Sequence, residues 1–397
     1  MALIRAATLM IVAGERSGDV YGGRLAAELR RREPEIEIFG CGGEVMRRAG
    51  VETVADSSQF AMVGITEVVS GLLPAYRAFR LLDAEAARRR PRLAVLIDSP
   101  SLNLRLAKRL KRRGIPVLYF VSPQIWAWKK WRLGQLVSRV DQMVCIFDFE
   151  PEIYSKAGIP AEYCGHPLVD TVAPSLARDQ FFAQSRLDPA VPTIALLPGS
   201  RKVEIEFILP TLLRAADRLL RQRRVQFVIP VAPSLDARGI EARLRAAWGD
   251  SGESRVRVLE HSTYDALAYS TLAVVASGTA TVEAALLGCP MMVVYRVSRV
   301  TAFLARRMVD VRFFSMVNIL AGKKVVEELI QGDFTTLRLT AEIIRLLDDR
   351  EGRDAMAAEL RQVKSRLGEG GAIERLADTV MKMVCKQAPA LVAGRQS

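Results

Sequence analysis

Residues Thr193 to Leu197 are an apolar run, and a Pro-Gly turn, Ser200, Arg201 and an amphipathic helical pattern follow at once. Such a run suits a strand buried on both faces, as in a parallel sheet covered by helices. The order recurs. Ala7 to Ala13 is another buried-strand run, ending in Gly14-Glu-Arg-Ser-Gly-Asp19 before helical spacing through Leu25, Leu29 and Arg32. Strand runs at 36–39, 93–97, 115–121, 140–147, 225–230, 255–260, 273–276 and 291–295 alternate with helical patterns. That alternation predicts parallel sheets with helices on both faces.

A chain of 397 residues exceeds one compact core. The pattern loosens over 169–192, with Pro174, Pro189 and Pro192, and then restarts. The reading is an α/β protein of two Rossmann-like domains facing a central cleft: 1–168, a linker at 169–192, 193–366, and a C-terminal helix and polar tail at 367–397. From Ser298 onward the pattern is mostly helical. Pro210 falls inside the helix after Arg201, so that helix either kinks or gives way to a second one. The Gly40-Cys-Gly-Gly43 stretch reads as a turn after a short strand.

No apolar run reaches the length of a membrane span. The N-terminus shows no signal-peptide cleavage pattern, so a cytoplasmic protein is expected. The five cysteines contain no Cys-x-x-Cys and read as reduced thiols. Net charge is +13, and the 42 residues between Asp98 and Asp141 hold ten Lys/Arg and no acid. Such a block attracts nucleic acid or an anionic membrane, or simply solubilises the surface.

Two turns read as anion seats. Gly199-Ser200-Arg201 offers backbone N–H groups, a helix N-terminus and a guanidinium. Ser277-Gly278-Thr279 offers a second set, and Glu283, one helical turn on, has the geometry to accept two ribose hydroxyls or to serve its helix dipole. After the first strand, Glu15, Ser17 and Asp19 stand where open α/β sheets bind ligands, or cap the helix. The spacing there does not match Gly-x-Gly-x-x-Gly, so a dinucleotide cofactor is not expected. Asp98 ends its strand and is either a general base or a turn aspartate; Asn103 is placed to orient it or a ligand. His166 reads as hinge or ligand, and His261 as a lining residue. No His/Cys cluster has metal-ligand spacing, and Asp148-Phe-Glu150 reads as a helix start. Trp126, Trp128, Lys129, Lys130, Trp131 and Arg132 suit a membrane interface, stacking on single-stranded nucleic acid, or ordinary packing. The apolar stretch around Met62 suits acyl chains or core.

Taken in order, these motifs resemble the lipid-A-disaccharide synthase family, inverting glycosyltransferases of GT-B architecture. The resemblance rests on Ala13-Gly-Glu-x-Ser-Gly-Asp19, Met62-Val-Gly-Ile-x-Glu-Val68, Asp98-x-Pro-x-x-Asn103, Val121-Ser-Pro-x-x-Trp-Ala-Trp128, Gly165-His166, Leu197-Pro-Gly-Ser-Arg-x-x-Glu204, Ser277-Gly-Thr-Ala280 and Asn318-x-Leu-Ala-Gly322. One departure is Ser101, where the family often has an acid. The resemblance implies a metal-independent, cofactor-free transfer between UDP-2,3-diacylglucosamine and 2,3-diacylglucosamine 1-phosphate at the inner membrane face. It implies Asp98 as base; Gly199, Ser200, Arg201, Ser277, Gly278, Thr279 and Glu283 at the nucleotide; and Gly14, Glu15, Ser17, Asp19, Met62, Asn103, His166 and Asn318 around the acceptor. It implies no nucleic-acid partner and does not specify an oligomeric state. A UDP-sugar epimerase or a polyprenyl-linked sugar transferase shares the nucleotide half; a nucleic-acid-binding protein is the alternative outside that class.

Overall fold

The computed structural model describes residues 7–61, 68–123, 133–232, 235–249, 256–298 and 312–386. Met62 and the 126–132 segment lie outside them. The chain divides into two compact units, Met1–Asp170 with Leu367–Ser397, and Thr171–Arg366.

The first unit runs β1 (Thr8–Ala13), α1 (Arg16–Arg32), β2 (Glu37–Gly42), α2 (Glu44–Arg48), β3 (Glu52–Asp56), α3 (Ser58–Ala61), α4 (Val68–Arg89), β4 (Leu93–Ile97), α5 (Pro100–Arg112), β5 (Val117–Phe120), α6 (Leu133–Val137), β6 (Gln142–Cys145), α7 (Glu150–Lys156) and β7 (Ala161–Tyr163). Its strands form a parallel sheet in the order β3-β2-β1-β4-β5-β6-β7. The central strands are buried along their length because helices cover both faces, which is why their sequences show no polar alternation. β2 runs on through the glycines expected to form a turn. A Cβ at Gly40 would sit 1.8 Å from the Ile11 carbonyl oxygen, so glycine lets β2 and β1 pair closely there.

The second unit runs α8 (Arg178–Ser185), β8 (Thr193–Leu197), α9 (Lys202–Leu220), β9 (Gln226–Val231), α10 (Ala237–Trp248), β10 (Val256–Glu260), α11 (Thr263–Tyr269), β11 (Leu272–Ala276), α12 (Thr279–Leu286), β12 (Met291–Tyr295), α13 (Met316–Ala321), β13 (Glu327–Ile330), α14 (Thr336–Asp348) and α15 (Arg350–Arg366). The sheet order is β10-β9-β8-β11-β12-β13, again parallel. The final helix, α16 (Ala372–Lys386), belongs to the first unit and packs on α1, where Arg32 pairs with Asp378.

Two local readings differ from expectation, and a third decides between two alternatives. The 169–192 stretch is not bare chain: it carries α8, whose Phe181 and Phe182 are buried, and the Ser175 and Leu176 N–H groups donate to Asp265. β13 interrupts the mostly helical C-terminal third, where its buried Leu329 completes a sheet edge. Pro210 lies inside one helix, α9, and does not start a second.

Candidate active site

In each unit the strand order reverses beside its first strand. In the first, β1 is flanked by β2 and β4; in the second, β8 is flanked by β9 and β11. Loops leaving adjacent strands at such a point diverge and open a crevice at the carboxyl ends. The sequence-predicted residues gather at these two points: Gly14–Asp19 with Asp98, and Gly199–Arg201 with Ser277–Glu283.

In the first unit, Asp98 and Ser99 are consecutive non-glycine residues in the left-handed region, at φ 48° and 44°. Each such residue costs about 1–3 kcal/mol, so the surroundings must hold it. They do. The Asp98 N–H donates to the Phe120 carbonyl, and the Asp98 carbonyl accepts from Asn103 Nδ2 at 2.7 Å and from the Tyr119 hydroxyl at 2.5 Å. Asn103 Nδ2 also donates to the Ile97 carbonyl. Asn103 is fully buried, so its work is on the Asp98 backbone. Gly14 makes room for this turn: a Cβ there would lie 2.6 Å from Ser99 Oγ. Among the described residues, buried Ser99 Oγ and Asn103 Oδ1 have no hydrogen-bond partner, which marks the turn as a place of stored strain. Glu15 and Ser17 are half-buried beside it.

Asp19 has a different task. Its carboxylate accepts from the Gly43, Val45 and Met46 N–H groups and so caps α2 rather than its own helix. His166 lies beyond β7 and is buried. Its Nδ1 accepts from the Leu168 N–H, which puts the ring proton on Nε2, and its ring tilts against Phe147. Burial pushes the imidazole down to about 3, so it is neutral at ordinary pH.

In the second unit, β8 and β11 pair directly, so both anion-seat turns leave neighbouring strands. They are not equivalent. The Ser200 and Arg201 N–H groups donate to Glu204 Oε2, at 2.8 and 3.2 Å, in a capping box. The expectation of open N–H donors there is therefore corrected: a carboxylate already holds them. What this turn turns outward is the Arg201 guanidinium, 68 % exposed and 3.5 Å from Glu204. Among the described residues, the α12 N-terminus has no side-chain cap and nothing lies within 4 Å of where a Gly278 Cβ would be; Gly278 and Thr279 are exposed. Glu283 follows on the same helix and accepts from the Tyr264 hydroxyl at 3.2 Å. Burial raises the Glu283 carboxyl, and the Tyr264 hydrogen bond opposes that rise. The ring of Tyr295, at the end of β12, lies tilted at 37° against that of Phe314, centroids 5.5 Å apart; burial and the Glu204 carboxylate raise its phenol.

Asn318 does not face this crevice with a spare group. Its Oδ1 accepts from the Val325 and Val326 N–H groups, and its Nδ2 donates to the Val326 carbonyl and to Glu328. Glu328 in turn accepts from the Phe314 and Ser315 N–H groups. A fully spent, fully buried amide is a brace for this loop. His261 is exposed, in the left-handed region, directly after β10. Sequence reasoning missed Tyr119 and Tyr264, which reach the site from other elements and carry no local signal. It also missed the role of Glu204, whose signal was present as an acid three residues after the helix cap. Among the described residues, no group of three or more His, Cys, Asp or Glu is placed to hold a metal ion. No helix among them is long and apolar enough to cross a membrane.

A family model described as lipid-A-disaccharide synthetase matches residues 9–381. The lipid-A-disaccharide synthase of Solibacter usitatus is 42 % identical over 377 residues, covering 95 % of this chain and 97 % of the relative. That of Geobacter sulfurreducens is 42 % identical, covering 96 % and 98 %. Among solved structures, UDP-GlcNAc 2-epimerase from Neisseria meningitidis, bound to UDP-GlcNAc, aligns with a TM-score of 0.65 at 13 % identity, over 94 % of this chain and all of that one. MurG from Acinetobacter baumannii aligns with a TM-score of 0.57 at 14 % identity, over 95 % and 99 %. The structural likenesses bear on the fold, which is the GT-B class; the sequence matches bear on the family.

Proposed function

Since this chain belongs to the lipid-A-disaccharide synthase family, a family of glycosyltransferases, we propose that it joins UDP-2,3-diacylglucosamine to 2,3-diacylglucosamine 1-phosphate with inversion and without a metal. The products are a β-1,6-linked disaccharide 1-phosphate and UDP. The acceptor 6-hydroxyl oxygen forms the new bond to the donor anomeric carbon. The bond from that carbon to the diphosphate breaks, its electron pair leaves with UDP, and the hydroxyl proton passes to Asp98.

The observation that carries this reading is the pairing of β8 with β11. It puts the uncapped α12 N-terminus and Arg201 on neighbouring turns, with Glu283 on α12 beyond. An uncapped helix start and a guanidinium suit a leaving diphosphate, because both meet negative charge without rearranging. Glu283 suits the ribose. The left-handed turn at Asp98, held by Asn103 and Tyr119, supports a base kept in one orientation. Gly14, Glu15, Ser17 and His166 line the acceptor side in this reading; Asp19 and Asn318 act by bracing. Both substrates carry acyl chains, so the enzyme works on the inner face of the cytoplasmic membrane.

Calorimetric titration with UDP tests the nucleotide half. Arg201→Ala and Glu283→Gln each weaken UDP by about tenfold, the worth of one hydrogen bond to a charged group. Unchanged affinity in both removes the nucleotide from this crevice.

A further inference from the structure

β1 and β4 run side by side to their ends, with Ala13 opposite Ile97, so the starts of α1 and α5 come together just beyond them. Gly14 and Ser99 touch there: a Cβ on Gly14 would lie 2.6 Å from Ser99 Oγ. A helix start concentrates positive charge and unmet N–H groups. Among the described residues, neither start has a side-chain cap. The acid in the first turn of α1 is Asp19, and both of its oxygens are taken by the Gly43, Val45 and Met46 N–H groups. The first turn of α5 carries no acid.

Two side chains add to this junction. Ser99 is 7 % exposed, and its Oγ has no hydrogen-bond partner among the described residues. A buried hydroxyl left without a partner costs about 1–3 kcal/mol, which a ligand oxygen accepting from it would recover. Arg16, the first residue of α1, is exposed and makes no ion pair among the described residues. A hydroxyl, a guanidinium and the backbone N–H groups of two helix starts are all donors. A carboxylate offers two oxygens in one plane. A phosphate monoester offers three strong acceptor oxygens pointing in different directions, so it can meet donors from both helices and a side chain at once.

We infer that the junction of α1 and α5, with Ser99 Oγ and the Arg16 guanidinium, is a phosphate-monoester seat and holds the 1-phosphate of the acceptor sugar. The inference rests on the proposed reaction and adds to it what orients the acceptor. In a glucosamine 1-phosphate, C1 and C5 flank the ring oxygen. The phosphate on C1 and the 6-hydroxyl borne through C5 therefore leave the same edge of the ring. A phosphate held at Ser99 brings the 6-hydroxyl toward Asp98, the preceding residue. An acceptor without the phosphate lacks that hold, so the seat selects sugar 1-phosphates. Arg16 and Ser99 act by binding; the proton still passes to Asp98.

Calorimetry of the full chain with glucosamine 1-phosphate, glucosamine and inorganic phosphate reads the seat without turnover. Glucosamine 1-phosphate binds, inorganic phosphate competes with it more weakly, and glucosamine at the same concentrations does not bind. Arg16→Ala, at an exposed position that leaves the fold intact, weakens glucosamine 1-phosphate by about tenfold, the worth of one hydrogen bond to a charged group. Arg16→Lys keeps most of the affinity, and Ser99→Ala lowers it. In turnover, Arg16→Ala raises KM for 2,3-diacylglucosamine 1-phosphate by a similar factor and leaves UDP affinity and the donor KM level. A merely structural role would instead lower Tm and move both KM values. Equal affinity of wild type and both alanine variants for glucosamine 1-phosphate overturns the inference. So does binding of glucosamine as tight as that of its 1-phosphate. Inorganic phosphate bound as tightly as glucosamine 1-phosphate, with the acceptor KM unmoved in the variants, overturns the assignment to the acceptor. Turnover keeps the two claims apart: if glucosamine 1-phosphate binds as described and no disaccharide forms, the proposed reaction fails while the seat stands.

Discussion

The Tyr264 hydroxyl donates to a Glu283 carboxylate oxygen at 3.2 Å, joining α11 to α12 beside the uncapped end of α12. Burial raises the Glu283 carboxyl, and this hydrogen bond is what opposes it. A carboxylate that accepts ribose hydroxyls must be ionised. Its affinity for UDP is therefore present above its pKa and lost as pH falls through it. Tyr264→Phe removes the opposing bond, so the loss begins at higher pH than in wild type. Calorimetry with UDP across a pH series reads the shift. A Tyr264→Phe profile that overlays wild type separates the two residues.

Asp98 is argued to take the acceptor proton. Asp98→Asn keeps a side chain that tolerates the left-handed region, so the turn survives. The variant should lose about 10²–10⁴ in kcat while UDP affinity stays level. Steady-state turnover beside UDP titration checks it. Near-normal kcat would reduce Asp98 to a turn residue.

Gly14 and Ser99 are coupled by contact. Gly14→Ala puts a Cβ about as close to Ser99 Cβ as to its Oγ, 2.8 and 2.6 Å, so rotating the hydroxyl away does not relieve it. We expect a loss of roughly 1–3 kcal/mol in stability. Ser99→Gly removes both atoms and suits the left-handed backbone, so the same change at Gly14 in that background should cost little. Denaturant unfolding of the two single variants and the double gives the coupling. Additive losses would contradict it.

Asn318 tests the distinction between bracing and binding. Asn318→Ala strands the Val325 and Val326 N–H groups and one bond to Glu328, at about 1–3 kcal/mol for each group left buried and unmet. Thermal unfolding should show a large drop in Tm. A variant with wild-type Tm and a raised KM would return Asn318 to the list of substrate contacts.

The sheets were legible because buried parallel strands announce themselves as unbroken apolar runs. Thr193–Leu197, Leu93–Ile97 and Met291–Tyr295 have the boundaries read from sequence. Short edge strands such as β7 and β13 were not, because they are three and four residues long and mostly only partly covered, so they present no apolar run. The position of Asp98 and Arg201 just past strand ends, and of Glu283 on the helix that follows one, could be read for the same reason as the strands. What each neighbour does for them could not. Tyr119 bonds the Asp98 carbonyl across adjacent strands, Asp19 reaches a different helix, and Glu204 folds back on its own turn. Such pairings depend on side-chain direction after packing, which spacing along the chain does not encode.

Purified protein is given UDP-2,3-diacylglucosamine and 2,3-diacylglucosamine 1-phosphate in detergent micelles with EDTA, and the products are read by mass spectrometry and by NMR of the new linkage. One equivalent of UDP is expected for each β-1,6-linked disaccharide 1-phosphate formed. Release of no disaccharide from that pair, with plain UDP-N-acetylglucosamine epimerised at C2 instead, would contradict the proposed reaction.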